Sequence, residues 1–287
     1  GSMPNFQETD KRNTAVGDRV LLSIAGYDPS GGGGVLADLR AARFCGVRAV
    51  AAVTAVTAQN TREMTLVQPV KPDTLRAQLE LLRADFTLGA IKIGMLAQAG
   101  IIGVVADFLQ SLTASVPVVL DPVLRASAGM ALLEAPLSSL ERLWPYCTLV
   151  TPNLPELSSL CGLPESAAAA DRELAVSRLL HRGVRAVLVK GGHAPGDVVT
   201  DTLHRPGLPV QAFSSPRRDV GSIRGTGCFL SSAIAALLMR GCPLEDAVRD
   251  ARRLLLQRAA SAWRPSRAAG ALFADFAYDE SERKDRI

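Results

Sequence analysis

Short apolar runs rich in β-branched residues recur along this chain, and a helical pattern separates most neighbouring pairs. No other feature restricts the possible folds as much. The strand-like runs are Val20–Ala25, Ala49–Thr57, Ala90–Gly94, Val116–Val123, Thr148–Thr151 and Ala186–Lys190. Several are apolar at successive positions, so both faces need cover, as in buried parallel strands. Val35–Phe44, Asp73–Ala84, Ile101–Leu112, Ser138–Leu143 and Asp171–His181 carry helical spacing between them, and Gly183 stops the last. This alternation predicts βαβ units: an α/β fold with a mainly parallel central sheet and helices on both faces. Val198–Phe213 predicts antiparallel strands at an edge. Two helices follow, Cys228–Arg240 and Leu244–Trp263, with Gly241-Cys242-Pro243 as the break.

A chain of 287 residues can fill one large α/β domain or two small ones. There is no internal repeat and no long linker, and the Pro/Gly-rich stretch Gly192–Pro209 reads as a loop or hairpin. A single domain is therefore predicted over 19–278. Gly1 and Ser2 ahead of Met3 read as a remnant of expression, the polar residues through 18 as a loose entry, and 279–287 as a solvated charged tail.

Composition removes several classes of function. Apolar residues make up 48% and charged residues 21%, which excludes a disordered chain. No run approaches the roughly 18 apolar residues that a membrane span needs. The net charge of +4 suits anionic small substrates, but only 5% of residues are aromatic, too few for nucleic-acid stacking. Five cysteines without a C-x-x-C pair, and no secretory signal pattern, predict a reducing cytoplasm. The three histidines lack metal-ligand spacing. P-loop, dinucleotide-binding and nucleophile-elbow motifs are missing.

In open α/β sheets, ligands bind beyond the carboxyl ends of the strands. Nearly every predicted strand here ends in a polar or glycine-rich cluster. Gly225-Thr226-Gly227-Cys228 opens a helix, so its backbone N–H groups and the helix dipole can form an anion hole suited to phosphate. A tight turn before a buried helix fits the same residues. Cys228 would lie in the first turn, where the dipole lowers a thiol pKa; a cysteine is more often a core filler. Asp121 and Glu156 end two apolar runs. Together beside a phosphate they suit Mg²⁺, which takes one or two carboxylates plus phosphates and waters; singly, each fits a helix cap. Lys190, before Gly191-Gly192, can reach a phosphate or be an edge lysine. Jointly these are the parts of phosphoryl transfer.

Taken in order, GYDPSGGGG, TAQNT, KIGML, LDPV, TPNLPE, VKGGH and GTGC resemble the hydroxymethylpyrimidine and phosphomethylpyrimidine kinases of thiamine biosynthesis, in the ribokinase-like superfamily. The resemblance covers about Arg19–Trp263. It implies a ribokinase-like three-layer sandwich, ATP and Mg²⁺ as cofactors, and a homodimer. It also implies phosphorylation of 4-amino-5-hydroxymethyl-2-methylpyrimidine and then of its monophosphate. Carried over by position, Gly225, Thr226, Gly227 and Cys228 would be catalytic, with Cys228 the base. Lys190, Asn153, Thr226 and Gly227 would meet the nucleotide, and Asp121 and Glu156 would hold Mg²⁺ through waters. Gln59, Thr57, Met95, Val123 and the turn Ala25–Asp28 would surround the pyrimidine.

Gln59 bears on the choice of ring. Its amide sets a donor beside an acceptor, the complement of an aminopyrimidine edge, whereas pyridoxal has no such pair; a loop cap at Gln59-Asn60 is the other reading. A pyridoxine/pyridoxal kinase remains the nearest rival, since vitamin B6 kinases share the fold and much of the motif set. A catalytically silent ligand-binding homologue is the other, against which Lys190, Asp121, Glu156 and Cys228 argue. The sequence departs from the family pattern at three places. Tyr27 stands where a small serine is usual, and Arg224 where histidine is common. Leu124–Gly129 replaces a Met followed by a short loop with lysine or threonine.

Overall fold

The computed structural model describes residues 17–126, 129–164, 171–192, 196–217, 223–259 and 272–273. Among them, nine strands form one sheet: β1 (Val20–Tyr27), β2 (Ala49–Gln59), β3 (Met64–Pro69), β4 (Leu88–Ile93), β5 (Val118–Leu120), β6 (Leu149–Val150), β7 (Val187–Val189), β8 (Val198–His204) and β9 (Gln211–Pro216). Their spatial order is β9-β8-β7-β6-β5-β4-β1-β2-β3. The six strands from β7 to β2 run parallel, while β3 at one edge and β8 near the other are antiparallel to their neighbours.

Successive residues in the central strands bury on opposite faces, as the pleat requires. Leu22, Ile24, Val118, Leu120, Val187 and Val189 belong to one core, and Leu21, Val119 and Leu188 to the other. The first core is covered by α2 (Pro72–Asp85), α3 (Ala99–Ser111), α4 (Leu154–Leu160) and α5 (Arg172–His181), through residues such as Leu79, Ile102, Leu157 and Leu179. The second is covered by α1 (Gly34–Phe44), α6 (Thr226–Met239) and α7 (Leu244–Ala259), through Ala41, Ile234 and Val248. This is the three-layer α/β sandwich that the alternation predicts. No described helix is long and apolar enough to cross a membrane.

Some boundaries differ for physical reasons. The run Val116–Val123 yields only Val118–Leu120 as strand, because Pro117 and Pro122 have no N–H to give the ladder. Ser138–Leu143 becomes a 3-10 helix over Leu137–Arg142 with a second over Trp144–Tyr146; Pro136 precedes the first and Pro145 lies within the second. Elements lie where none is predicted: β3, at an exposed edge, α4, and the two-residue strands Ala97–Gln98, Leu133–Glu134, Ile223–Arg224 and Leu272–Phe273. The segment 1–16, the tail 274–287 and the predicted end of α7 beyond Ala259 lie outside the described residues.

Because six strands share one direction, the loops after β1, β2, β4, β5, β6 and β7 gather at one edge of the sheet. The N-terminus of α6 meets them there.

Candidate active site

Two cavities open at this edge. The larger, about 670 Å³, is bordered by Asp121, Asn153, Glu156, Lys190 and the N-terminus of α6. Asp121 directly follows β5, Asn153 lies just beyond β6 and Lys190 directly follows β7. Lys190 Nζ donates to Asp121 Oδ1 at 2.8 Å and stands 3.9 Å from Glu156 Oε2. Burial works against the lysine's charge, but the two carboxylates outweigh it and hold the ammonium above its ordinary range. Burial also pushes the Glu156 carboxyl up to about 7; Lys190 and the Asn153 N–H pull it down, and Asp121 adds to the rise.

Asn153 caps α4. Its side chain accepts from the Glu156 N–H at 2.8 Å, and Glu156 Oε2 accepts from the Asn153 N–H at 2.8 Å, a complete capping box. Glu156 is thus both a cap and a wall of the cavity. Among the described residues no hydrogen bond reaches Asp121 Oδ2 or Glu156 Oε1, so each carboxylate keeps one oxygen for another ligand. No described cluster of three acidic, histidine or cysteine side chains forms a cage. Two hard oxygens without a cage suit Mg²⁺ carried in by phosphates.

The floor is built from backbone. Gly225 is left-handed, with φ of +77°, and a Cβ on it would stand 2.2 Å from the Gly32 carbonyl oxygen. Only glycine lets these two loops meet so closely. A Cβ on Gly227 would stand 3.4 Å from both Asp121 Oδ2 and Lys190 Nζ, so the first turn of α6 lies against the charged wall. A second helix start converges here: the Gly34 N–H of α1 acts to lower the Cys228 thiol. Both helix dipoles therefore favour negative charge at this point.

The sequence predicts a thiol pKa lowered by the helix dipole; the structure corrects this. Burial pushes the Cys228 thiol up. Lys92 and the Gly34 N–H act downward, but Asp38 and Asp121 add to the rise. Lys92 and Asp38 form a fully buried ion pair at 2.7 Å, with Ser23 and Ser232 also donating to Asp38. Asp38 outweighs the burial of Lys92 and holds its ammonium above the ordinary range.

The smaller cavity, about 130 Å³, lies between β1, β2 and the α6 start. Asp28, Thr57, Gln59, Met95 and Val123 line it. Ala25 is buried in β1, one residue before the first lining residue, Gly26. Gly26 admits the Met95 sulfur, which a Cβ there would meet at 2.9 Å. Gln59 Nε2 donates to Thr57 Oγ1 at 2.8 Å, and Thr57 donates to the Tyr27 carbonyl at 2.9 Å. Asp28 is 2% exposed; its Oδ1 accepts from the Ser30 N–H and hydroxyl, while among the described residues Oδ2 accepts no hydrogen bond. Arg224 reaches in from the strand before Gly225. It donates to Gln59 Oε1 and the Asn60 carbonyl, and its Nη2 is 3.6 Å from Asp28 Oδ2. Val123, Arg125, Ala126, Gly225 and Cys228 border both cavities.

The family model described as Phosphomethylpyrimidine kinase matches residues 28–272. The chain belongs to this family. It is similar to the hydroxymethylpyrimidine/phosphomethylpyrimidine kinase of Escherichia coli, 39% identical over 244 residues, which are 84% of this chain and 91% of that protein. The enzyme of the same name from Rhizobium meliloti is 38% identical, over 82% of this chain and 88% of its own. Among solved structures, the pyridoxal kinase of Staphylococcus aureus in complex with ADP aligns with a TM-score of 0.80 at 27% identity, covering 91% of this chain and 94% of that one. The phosphomethylpyrimidine kinase of Clostridium difficile aligns with a TM-score of 0.69 at 28% identity, covering 83% and 98%. The fold is ribokinase-like, and the protein is a kinase.

Three features of this phosphomethylpyrimidine kinase family member escape a reading of strand ends. The Lys92–Asp38 pair had a signal, since a lysine inside the apolar run Ala90–Gly94 must find a partner when buried. The role of Gly34 had none, because nothing local says which sulfur its N–H will face. Arg224 stands out in sequence as a departure, and only the fold brings it to Gln59, 165 residues away.

Proposed function

We propose that the chain transfers the γ-phosphoryl group of ATP to the hydroxyl of 4-amino-5-hydroxymethyl-2-methylpyrimidine, and then to the resulting monophosphate, in thiamine biosynthesis. The observation that carries this reading is the shared wall. Gly225 and Cys228 border a wide, charged cavity on one side and a small, ring-sized cavity on the other, so one anion hole faces both reactants. In this reading the nucleotide takes the larger cavity with its phosphates on Lys190 and the α6 N-terminus. The pyrimidine takes the smaller one, its amino edge on Gln59.

The acceptor oxygen attacks the γ-phosphorus and the bond to the β-phosphate oxygen breaks; in the first step, where the acceptor is the alcohol, its hydroxyl proton passes to the Cys228 thiolate. Backbone N–H groups at Gly227 and Cys228 hold the phosphoryl charge. Mg²⁺ bound at Asp121 and Glu156 would neutralise the phosphate oxygens. Burial, with Asp38 and Asp121 beside it, raises the Cys228 thiol, which makes its thiolate the stronger base. The homodimer implied by the resemblance belongs to this reading as well.

The rival is a pyridoxal kinase, favoured by the higher TM-score to such an enzyme. Gln59 speaks against it, because its paired donor and acceptor would leave one group unmatched on pyridoxal. Product analysis with ATP, Mg²⁺ and each alcohol tests the choice. The pyrimidine diphosphate is the expected product, and faster turnover of pyridoxal would overturn the assignment. Cys228→Ala should lose turnover while still binding the pyrimidine. A variant that keeps most of its activity would leave the backbone N–H groups as the whole catalytic device.

A further inference from the structure

An amide such as Gln59 has two faces that differ only in which end is oxygen. Its orientation decides what it can read. If the inner edge presents N–H to the ring nitrogen and C=O to the neighbouring substituent, it pairs with a 4-amino ring. The reversed amide pairs with a 4-oxo ring, whose oxygen accepts and whose ring N–H donates. The two rings have nearly the same size, so cavity shape cannot separate them.

Two contacts fix the two ends of this amide. Thr57 Oγ1 receives a hydrogen from Nε2. The hydroxyl's own hydrogen goes to the Tyr27 carbonyl, but it can turn to donate to the amide instead, so that contact alone would allow a reversed amide at the cost of one neutral hydrogen bond. Arg224 is different: a guanidinium only donates, and it donates to Gln59 Oε1. Its other contacts, the Asn60 carbonyl and the Asp28 carboxyl 3.6 Å away, keep the fork from turning aside. Arg224 also directly precedes Gly225, so the residue that fixes the amide is continuous with the anion hole.

We propose that Arg224 is a specificity-determining residue: by locking the polarity of the Gln59 amide, it makes the acceptor site select a 4-amino over a 4-oxo pyrimidine. This rests on the reading that Gln59 pairs with the ring. Arg224 acts through Gln59 and does not need to touch the reacting atoms.

The experiment compares kcat/KM for the 4-amino-5-hydroxymethyl-2-methylpyrimidine and its 4-oxo counterpart in wild type, Arg224→Met, Arg224→Gln, Gln59→Leu and the Arg224→Met/Gln59→Leu double variant. Wild type should prefer the amino ring at least a hundredfold. Arg224→Met should shrink that ratio at least tenfold, by raising KM for the amino ring and admitting the oxo ring, with less change in kcat. Arg224→Gln, which can donate or accept at this point, should do the same and serves if the methionine variant folds poorly. Adding Arg224→Met to Gln59→Leu should change the ratio less than twofold. An unchanged ratio in both Arg224 variants, beside a reduced ratio in Gln59→Leu, overturns the lock and leaves the ring reading standing. A wild-type ratio in Gln59→Leu overturns the ring reading itself, and the lock with it. Independent effects in the double variant would also defeat the proposal, because Arg224 would then not work through Gln59.

Discussion

The two ends of the site are built from different materials. At the wide end, Lys190 stands between Asp121 and Glu156, and full charges meet the backbone of α6. At the narrow end, Arg224, Gln59, Thr57 and the Tyr27 carbonyl form one directed line of hydrogen bonds. Charges attract any phosphate from several angles, whereas a directed line accepts one pattern of donors and acceptors. On the proposed reading, the difference separates where the enzyme keeps its chemistry from where it keeps its choice. Changes at the wide end should alter rate and nucleotide use for every acceptor. Changes at the narrow end should alter which acceptor is used.

The largest effect is expected at the junction. Gly225→Ala puts a Cβ 2.2 Å from the Gly32 carbonyl and strains φ of +77°. The anion hole should open, with kcat falling 10²–10³-fold, about 3–4 kcal/mol. Steady-state rates beside a melting curve check it, and a folded variant with wild-type kcat would detach the anion hole from both ends. Next is Lys190→Ala, which on the proposed reading removes a charge-assisted phosphate contact. KM for ATP should rise roughly tenfold to a hundredfold, equally for every acceptor. A change in acceptor preference instead would break the division of labour.

Gln59→Leu should raise KM for the pyrimidine about tenfold and leave KM for ATP unchanged. An equal loss on pyridoxal would make Gln59 structural. The smallest effect concerns stability. Burial holds the Glu156 carboxyl near 7, above the ordinary 4.5, so the unfolded chain loses this proton first. The stabilisation from the neutral form is complete below about 4.5 and is lost as pH rises through about 7. The expected loss is on the order of 1–3 kcal/mol, and Glu156→Gln should remove it. Denaturant melts of the ligand-free protein at pH 5 and 8 test this. The same difference between wild type and variant at both values would contradict the shift.

Much of the wide end was legible because its residues sit directly after apolar runs. A charged residue that ends a buried strand announces itself, as Asp121 and Lys190 do. The central strands were equally plain, since apolar character on both faces admits few alternatives. Edge strand β3 was not, because no residue of Met64–Pro69 is buried and the run carries little pattern. Helix α4 was hidden by its prolines, although Asn153 and Glu156, three apart, held the signature of a capped start. The Cys228 thiol was misjudged because a helix dipole is visible in sequence, while desolvation and the Asp38 carboxylate depend on tertiary packing. The narrow end resists local reading for the same reason: Gln59 and Arg224 acquire meaning only as a pair.

The meeting of Gly225 with Gly32 has a temporal consequence. The two residues are separated by most of the domain, as are Arg224 and Gln59, and Ser232 and Asp38. As the chain is synthesised, β1, α1 and β2 appear first and must wait for α6 before either cavity has a floor. Contacts of such long sequence separation are slow to close, and they close late. Until then the Lys92–Asp38 pair has no roof from Ser232. Catalytic competence in this kinase is therefore among the last properties to be acquired during biogenesis, and the onset of activity marks the moment when the two halves of the nascent domain have docked.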